Sequence, residues 1–534
     1  MGRRSRGCAA AVCVVFGLLY ATGGTVSAQT DAVLPAGVKA VWDMGKALHE
    51  ATPTRERVCI NGLWRWQPAA EITDQVPADK WGFCKVPAAW TDGSQDIYPH
   101  PDWQASPFRQ STMAWYQREI TIPADWKGRR IAFYTEYLNS YAVVFVDGKN
   151  MGRIGFPGGE ADITAACEPG RTHLLSLGVK ALPLAAEVAV FNDTMAPGRA
   201  RGNVERKGLC GDAYLLSTPA GARIGDVKVN PSVRKWEIAL DVALDGLDPN
   251  ASYRLQALVT DKGQKAKDFT GEPFRIADVK EGRLTVSSPW HPDKLWDINT
   301  PQNMYDVQVT LLDDAGAAID VFRPVHFGFR EFWTAGRDFY LNGSRINCFA
   351  SPIENAQLSA QYATYDACRE TLSRMKAYGV YLVYTHNYGS QPGVHLSFEG
   401  LMQAADDVGM LVAVSQPHYG QYTWDKPDAE KTNGYLRHAE FYVRRAENHP
   451  SVVMYATNHN ALAYAGAWDP DLMDGKHNAD GKLGPRDDQA ALNGLLVQHI
   501  LERLDPTRVV YHHHSGALGN MFTLNLYLDF VPIQ

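Results

Sequence analysis

The feature that most constrains the fold is a change of rhythm at Phe339. Before it, short runs of alternating apolar and polar residues are broken by turn signals. After it, strands alternate with helices of ten or more residues. One core cannot serve both patterns, and a chain of 534 residues suggests about three to four domains.

In the first part, Ala114–Ile122, Arg130–Glu136 and Tyr141–Val146 carry β-branched and aromatic residues at period two, and Asp147-Gly148 supplies a tight hairpin turn. Asp31 to Leu216 therefore reads as a β-sandwich, and Ala222–Phe329 has the strand spacing of an immunoglobulin-like sandwich. In the second part, FYLNGSRINCFA from Phe339 gives a first strand. Asp366–Tyr378 is an amphipathic helix and Val380–Thr385 a second strand. Leu396–Val408 is helical, with Gly409 as its C′ stop. Met410–Val414, a helix over Glu430–Glu447, Val452–Tyr455, a helix over Asp487–Leu504 and Arg508–His513 continue the series. Repeated βα units imply a parallel sheet of the TIM (β/α)8 kind. Five or six strands can be counted where eight are needed, and the chain stops at Val531-Pro532-Ile533-Gln534, so an incomplete barrel is expected.

Composition narrows the class. Hydrophobic residues make up 45% and charged residues 21%, as in ordinary globular proteins. The net charge of −7 comes with no basic stripe, which argues against nucleic acid as a partner. Arg3, Arg4 and Arg6, then the apolar run Cys8–Tyr20 and the small-residue exit Val26-Ser27-Ala28, read as a signal peptide over 1–28. The run is short for a membrane span. A secreted or periplasmic location without stable membrane insertion follows as an expectation. The remaining cysteines (Cys59, Cys84, Cys167, Cys210, Cys348 and Cys368) form no CxxC pair, which argues against a structural zinc site and leaves their pairing open.

Several stretches resemble glycoside hydrolase family 2, the β-galactosidase and β-glucuronidase type. They are NGLWRWQ at Asn61–Gln67, VPAAW at Val86–Trp90, WYQREITIPADWKGRRIAFYTE at Trp115–Glu136, YAVVFVDGKNMGR at Tyr141–Arg153 and KGLCGDAYL at Lys207–Leu215. KLWDINTPQNMYDVQVTL with FGFREF at Phe327–Phe332, and NHPSVVMYATNHN at Asn448–Asn460, extend the likeness. The resemblance implies a jelly-roll sugar-binding domain over 29–218, an immunoglobulin-like domain over 219–332 and a partial TIM-barrel catalytic domain over 333–534. It also implies β-linked glycosides as substrate, with no cofactor.

Retaining glycosidases use two carboxylates, one a nucleophile and one a general acid then base. By the resemblance, position 460 carries the acid/base and a strand following Gln534 the nucleophile. This chain has Asn460, preceded by His459, where the family has Asn-Glu. An amide cannot donate and recover a proton at a useful pKa. His459 can act as general acid, or it can hydrogen-bond substrate or backbone; Asp469, Asp471 and Asp474 in the following loop could supply a displaced carboxylate. The family's Arg-Thr-Ser-His-Tyr-Pro-like run is here Tyr384-Thr385-His386-Asn387-Tyr388-Gly389, and an expected acidic residue is replaced by Ser415-Gln416-Pro417-His418-Tyr419. His386, Asn387, Tyr388 and His418 are thus candidate sugar contacts, alongside the alternative of ordinary loop residues. Strand alternation puts His512 and His514 on one side and His513 on the other. His512 and His514 are read as substrate contacts, and a metal on the pair is conceivable; Tyr527 in Asn525-Leu526-Tyr527 resembles a residue facing the sugar. The expected function is a glycosidase. A carbohydrate-binding pseudo-enzyme with the same cleft and a metal-dependent glycan-processing enzyme are the alternatives.

Overall fold

The computed structural model describes residues 31–90, 97–103, 111–182, 207–353, 364–385, 399–457, 485–513, 515–516 and 518–523. The expected signal peptide lies outside them.

The runs expected at period two form antiparallel sheets, and their strands are buried along most of their length rather than on one face. A five-stranded sheet runs in the order His49–Ala51, Glu56–Cys59, Ala213–Thr218, Arg130–Thr135, Gly159–Asp162. It faces a seven-stranded sheet ordered Lys149–Gly155, Tyr141–Val146, Thr172–Lys180, Met113–Thr121, Gly62–Pro68, Gly82–Val86, Ile97–Tyr98. Val58, Phe133 and Leu215 from the first meet Trp64, Trp66, Tyr116 and Leu177 from the second in one core. Asp147-Gly148 makes the tight turn between Tyr141–Val146 and Lys149–Gly155, both residues at positive φ (49° and 79°).

A second pair of sheets follows. Arg223–Ser232, Glu237–Asp245 and Arg283–Pro289 form one; Gln264–Thr270, Arg254–Asp261, Tyr305–Leu312 and Ala318–Val321 form the other. Val229, Leu240, Val259, Val307 and Phe329 fill the space between them. Asp320, fully buried, joins this unit to the first: it accepts from Arg55 Nε at 2.6 Å, Thr54 Oγ1 at 3.0 Å and Ile224 N at 2.7 Å.

FYLNGSRINCFA is not the first parallel strand. Phe332–Ala335, Asp338–Leu341 and Ser344–Ile346 form a small antiparallel sheet of their own. The cause is Asn342-Gly343, both at positive φ (53° and 90°), a dipeptide suited to a tight hairpin. The parallel strands are β1 (Ala350–Ile353), β2 (Leu382–Thr385), β3 (Leu411–Ser415), β4 (Val452–Ala456) and β5 (Val509–Tyr511), adjacent in that order. Among the described residues the α-helices are α1 (Tyr365–Ala377), α2 (Glu399–Val408), α3 (Ala429–Thr432), α4 (Tyr435–Ala446) and α5 (Pro485–Leu504). The single helix expected over 430–447 is therefore two. Gly434, the N-cap of the second segment, sits at φ 82°, and the Asn433 side chain just before it accepts from Tyr435 N at 2.9 Å. Every residue of β3 and β4 is buried, which suits parallel strands covered on both faces.

Candidate functional site

The motif that carries the family likeness, Asn448-His449-Pro450-Ser451-Val452, lies at the entrance of β4, and its work there is mechanical. The Asn448 amide copies a strand partner: its Nδ2 donates to Val227 O at 2.8 Å and its Oδ1 accepts from Val229 N at 2.9 Å. His449 Nδ1 lies 2.5 Å from Asp406 on α2, whose other oxygen accepts from Ser451 N at 3.0 Å. Burial works against a charge on His449, but the Asp406 carboxylate outweighs it and the pKa is raised. Arg330, fully buried, donates through Nε to Pro450 O at 2.7 Å and through Nη2 to Val452 O. Arg508 donates to Val452 O at 3.1 Å and to Glu447 O.

Between these grips sits a buried ion pair. Lys228 Nζ, from the second sandwich, lies 2.9 Å from Asp505 Oδ1, and Tyr455 of β4 donates to Asp505 Oδ2 at 2.9 Å. Burial disfavours the Asp505 carboxylate, yet Arg508 and Lys228 hold its pKa well below the usual range. A cleft of about 790 Å3 also opens at this end, between Asn230, Arg234 and Trp333 on one side and Arg508 and Val509 on the other. It lies away from the strand ends where the chemistry of parallel sheets collects.

Those C-terminal ends form a continuous polar edge. Ser415 N donates to Thr385 Oγ1 at 2.8 Å, and Ser415 Oγ donates to Thr385 O, tying β2 to β3. Gln416 N donates to Ala456 O at 2.8 Å and Thr457 N to Tyr511 O at 3.0 Å, so backbone pairing carries on past the strands. Beyond the edge, the His418 ring stacks on Tyr419 at 5.9 Å between centroids and accepts from Gly420 N through Nδ1 at 3.1 Å. Trp424 Nε1 donates to Tyr419 O at 2.9 Å, and the Tyr384 and His513 rings lie 5.9 Å apart.

The sequence candidates divide sharply here. His386, Asn387, Tyr388, His459, Asn460, His514 and Tyr527 lie outside the described residues, as do Asp469, Asp471 and Asp474. His418 is half-buried at the edge, where a ligand can meet it. His512 is buried rather than presented at the edge. β5 ends at Tyr511, two residues before the expected end at His513, and the His512 ring is buried in the protein. Its Nδ1 lies 2.7 Å from Thr457 Oγ1 and its Nε2 2.9 Å from Gln498 Oε1. Burial drives its pKa down to about 4. With both nitrogens engaged, it has no lone pair for a metal. Among the described residues, no group of three or more His, Cys, Asp and Glu could hold one.

Two sandwiches followed by a parallel α/β sheet, joined by buried polar grips, define a multidomain and largely β protein. A family model, "Glycosyl hydrolases family 2", matches residues 222–330. A putative beta-glucuronidase of Formosa agariphila is 23% identical over 482 residues, covering 87% of this chain and 52% of the relative. The beta-glucuronidase of Paenibacillus borealis is 23% identical over 445 residues, covering 77% and 69%. Among solved structures, Bacteroides uniformis beta-glucuronidase 2, covalently bound to cyclophellitol-6-carboxylate aziridine, superposes with a TM-score of 0.60 at 19% identity, over 86% of this chain and 52% of its own. The Ruminococcus gnavus enzyme in complex with D-glucuronic acid gives 0.61 at 16%, over 87% and 73%. The chain is thus similar to glycoside hydrolase family 2 proteins, with the family model itself matching only residues 222–330. It spans about half the length of the first of these relatives.

Proposed function

We propose that the protein is a secreted or periplasmic glycosidase that hydrolyses β-linked glycosides, with β-glucuronides as the first substrate class to test. Residues 1–28 are its signal peptide and 29–218 a jelly-roll sugar-binding domain. Residues 219–332 are immunoglobulin-like, and 333–534 belong to a TIM barrel. The observation that carries the reading is the shared C-terminal edge of β1 to β5, from which β4 continues through Thr457 into Asn458-His459-Asn460. The glucuronidase names of the relatives supply the substrate class.

In this reading His459 protonates the leaving oxygen, because Asn460 cannot. His386, Asn387, Tyr388, His418, His514 and Tyr527 contact the sugar. The Asn460 amide favours one further reading, a protein that binds the same sugars without cleaving them.

One experiment separates the two. The full chain is offered aryl β-glucuronides, β-galactosides and oligosaccharides, with calorimetry run in parallel. Turnover of any of them supports the glycosidase. Binding without turnover supports the binder, and neither binding nor turnover refutes both.

A further inference from the structure

We propose that His512 is a positioning residue: its imidazole, locked in the Nε2–H tautomer, fixes the exit of β4 at Thr457. The proposal rests on the reading above that the chemistry lies just beyond that exit.

The tautomer follows from a one-way chain of hydrogen bonds. Gln498 Nε2 donates to Glu502 Oε1 at 2.8 Å, which turns the amide oxygen toward His512. An amide oxygen only accepts, so the proton between them belongs to His512 Nε2, and Nδ1 is left bare. Nδ1 then accepts from the Thr457 hydroxyl at 2.7 Å, the nearer of that hydroxyl's two acceptors, Tyr511 O lying at 3.4 Å. Thr457 donates to His512, His512 to Gln498 and Gln498 to Glu502, which also receives Asn520 Nδ2 at 3.1 Å. The chain thus runs from the end of β4 to the last turns of α5 and finishes on a carboxylate. Thr457 and His512 are fully buried and Gln498 is 6% exposed. A chain of this kind is strong when every member is satisfied and costly when one is not.

Two glycines make room for the ring. Gly519 has φ +72°, and a Cβ there would stand 2.3 Å from Gln498 Oε1 and 3.0 Å from the imidazole. Gly494, inside α5, would bring a Cβ within 3.5 Å of His512 Cε1 and 3.4 Å of Tyr419 Oη. Glycine is a poor residue for a helix interior, at roughly 1 kcal/mol against alanine, so its presence in α5 has a local cause in this packing. Burial keeps the ring neutral, and a neutral ring is what lets Nδ1 accept.

The test uses the full chain with 15N-labelled histidine, the His512 signal being assigned by its loss in His512→Phe. At pH 7 the expected spectrum is a neutral Nε2–H ring that stays neutral to below pH 5.5. An Nδ1–H ring, or an imidazolium at pH 6, overturns the proposal. On a substrate the protein turns over, Thr457→Val and His512→Phe should lower kcat about tenfold or more with KM within twofold. His512→Asn, which keeps an acceptor near the Nδ1 position, should recover most of that loss. Unchanged kcat in a folded Thr457→Val overturns the proposal. If the wild type turns over nothing, the glycosidase reading fails and hydrogen exchange decides this one. Faster exchange at Ala456 and position 457 in Thr457→Val than in the wild type, with β3 unchanged, supports positioning, and equal exchange in the two overturns it.

Discussion

Removing Asp505 exposes how firmly the second sandwich is welded to the parallel sheet. Lys228 and Asp505 side chains are 2% and 0% exposed, with Nζ and Oδ1 2.9 Å apart. At an effective dielectric of ~20, unit charges about 3 Å apart attract by roughly 5–6 kcal/mol, before the cost of desolvating them. Asp505→Ala strands a buried ammonium and leaves the Tyr455 hydroxyl without its acceptor, and breaking such a pair costs about 3–5 kcal/mol. Lys228→Met is milder, because Asp505 is still held by Tyr455, by Thr507 N at 3.0 Å and by Thr507 Oγ1 at 2.6 Å. The double variant Lys228→Met, Asp505→Leu removes both charges together. It should therefore be less destabilised than the sum of the single variants by about 2 kcal/mol or more. Urea unfolding of the four proteins, followed by far-UV and near-UV circular dichroism, measures this. An Asp505→Ala loss below about 1 kcal/mol, or strictly additive single effects, would refute the reasoning. Because folding depresses the Asp505 pKa, its stabilisation is complete above the free-chain value of ~3.9 and is lost as pH falls from there through the folded value. Asp505→Ala should accordingly flatten the acid limb of stability.

Other sites give independent checks. Asn448→Ala removes both bonds to Val227 and Val229 and should cost about 1–3 kcal/mol in the same urea assay. Gly409→Ala puts a Cβ 2.3 Å from Ile298 O at a residue with φ +72°, and should lower stability by roughly 2 kcal/mol or more. Cys59, Cys84, Cys167, Cys210, Cys348 and Cys368 are all free thiols, and burial raises Cys348 and Cys368 to about 11. A thiol reagent at pH 8 should therefore react with these six slowly in the native protein and fully after denaturation without reductant; a missing thiol would reveal a disulfide.

How much of this was legible beforehand depended on the distance over which each cause acts. The runs at Tyr141–Val146 and Val452–Ala456 announce themselves as strands, because continuous apolarity is a local consequence of near-complete burial. Asn342-Gly343 was equally readable as a hairpin and was absorbed into a strand by the apolar residues around it. Asn433-Gly434 likewise broke a helix whose amphipathic pattern continues across the break. The grips on β4 were out of reach: Asn448 meets Val227 and Asp505 meets Lys228 more than two hundred residues away, and no periodicity records such pairs. The burial of His512 was out of reach for a related reason. Alternation gives a side only while a strand lasts, and β5 stops one residue short of it.

The most direct test of the central claim compares leaving groups. The wild type and His459→Ala are assayed on two β-glycosides of one sugar, an activated aryl leaving group and a simple alkyl one. Departure of the alkyl alcohol needs a proton, whereas the aryl group leaves without one. If His459 is the proton donor, His459→Ala loses alkyl turnover by about a hundredfold while aryl turnover falls by less than about tenfold. Equal rates for wild type and variant on the alkyl glycoside would contradict it.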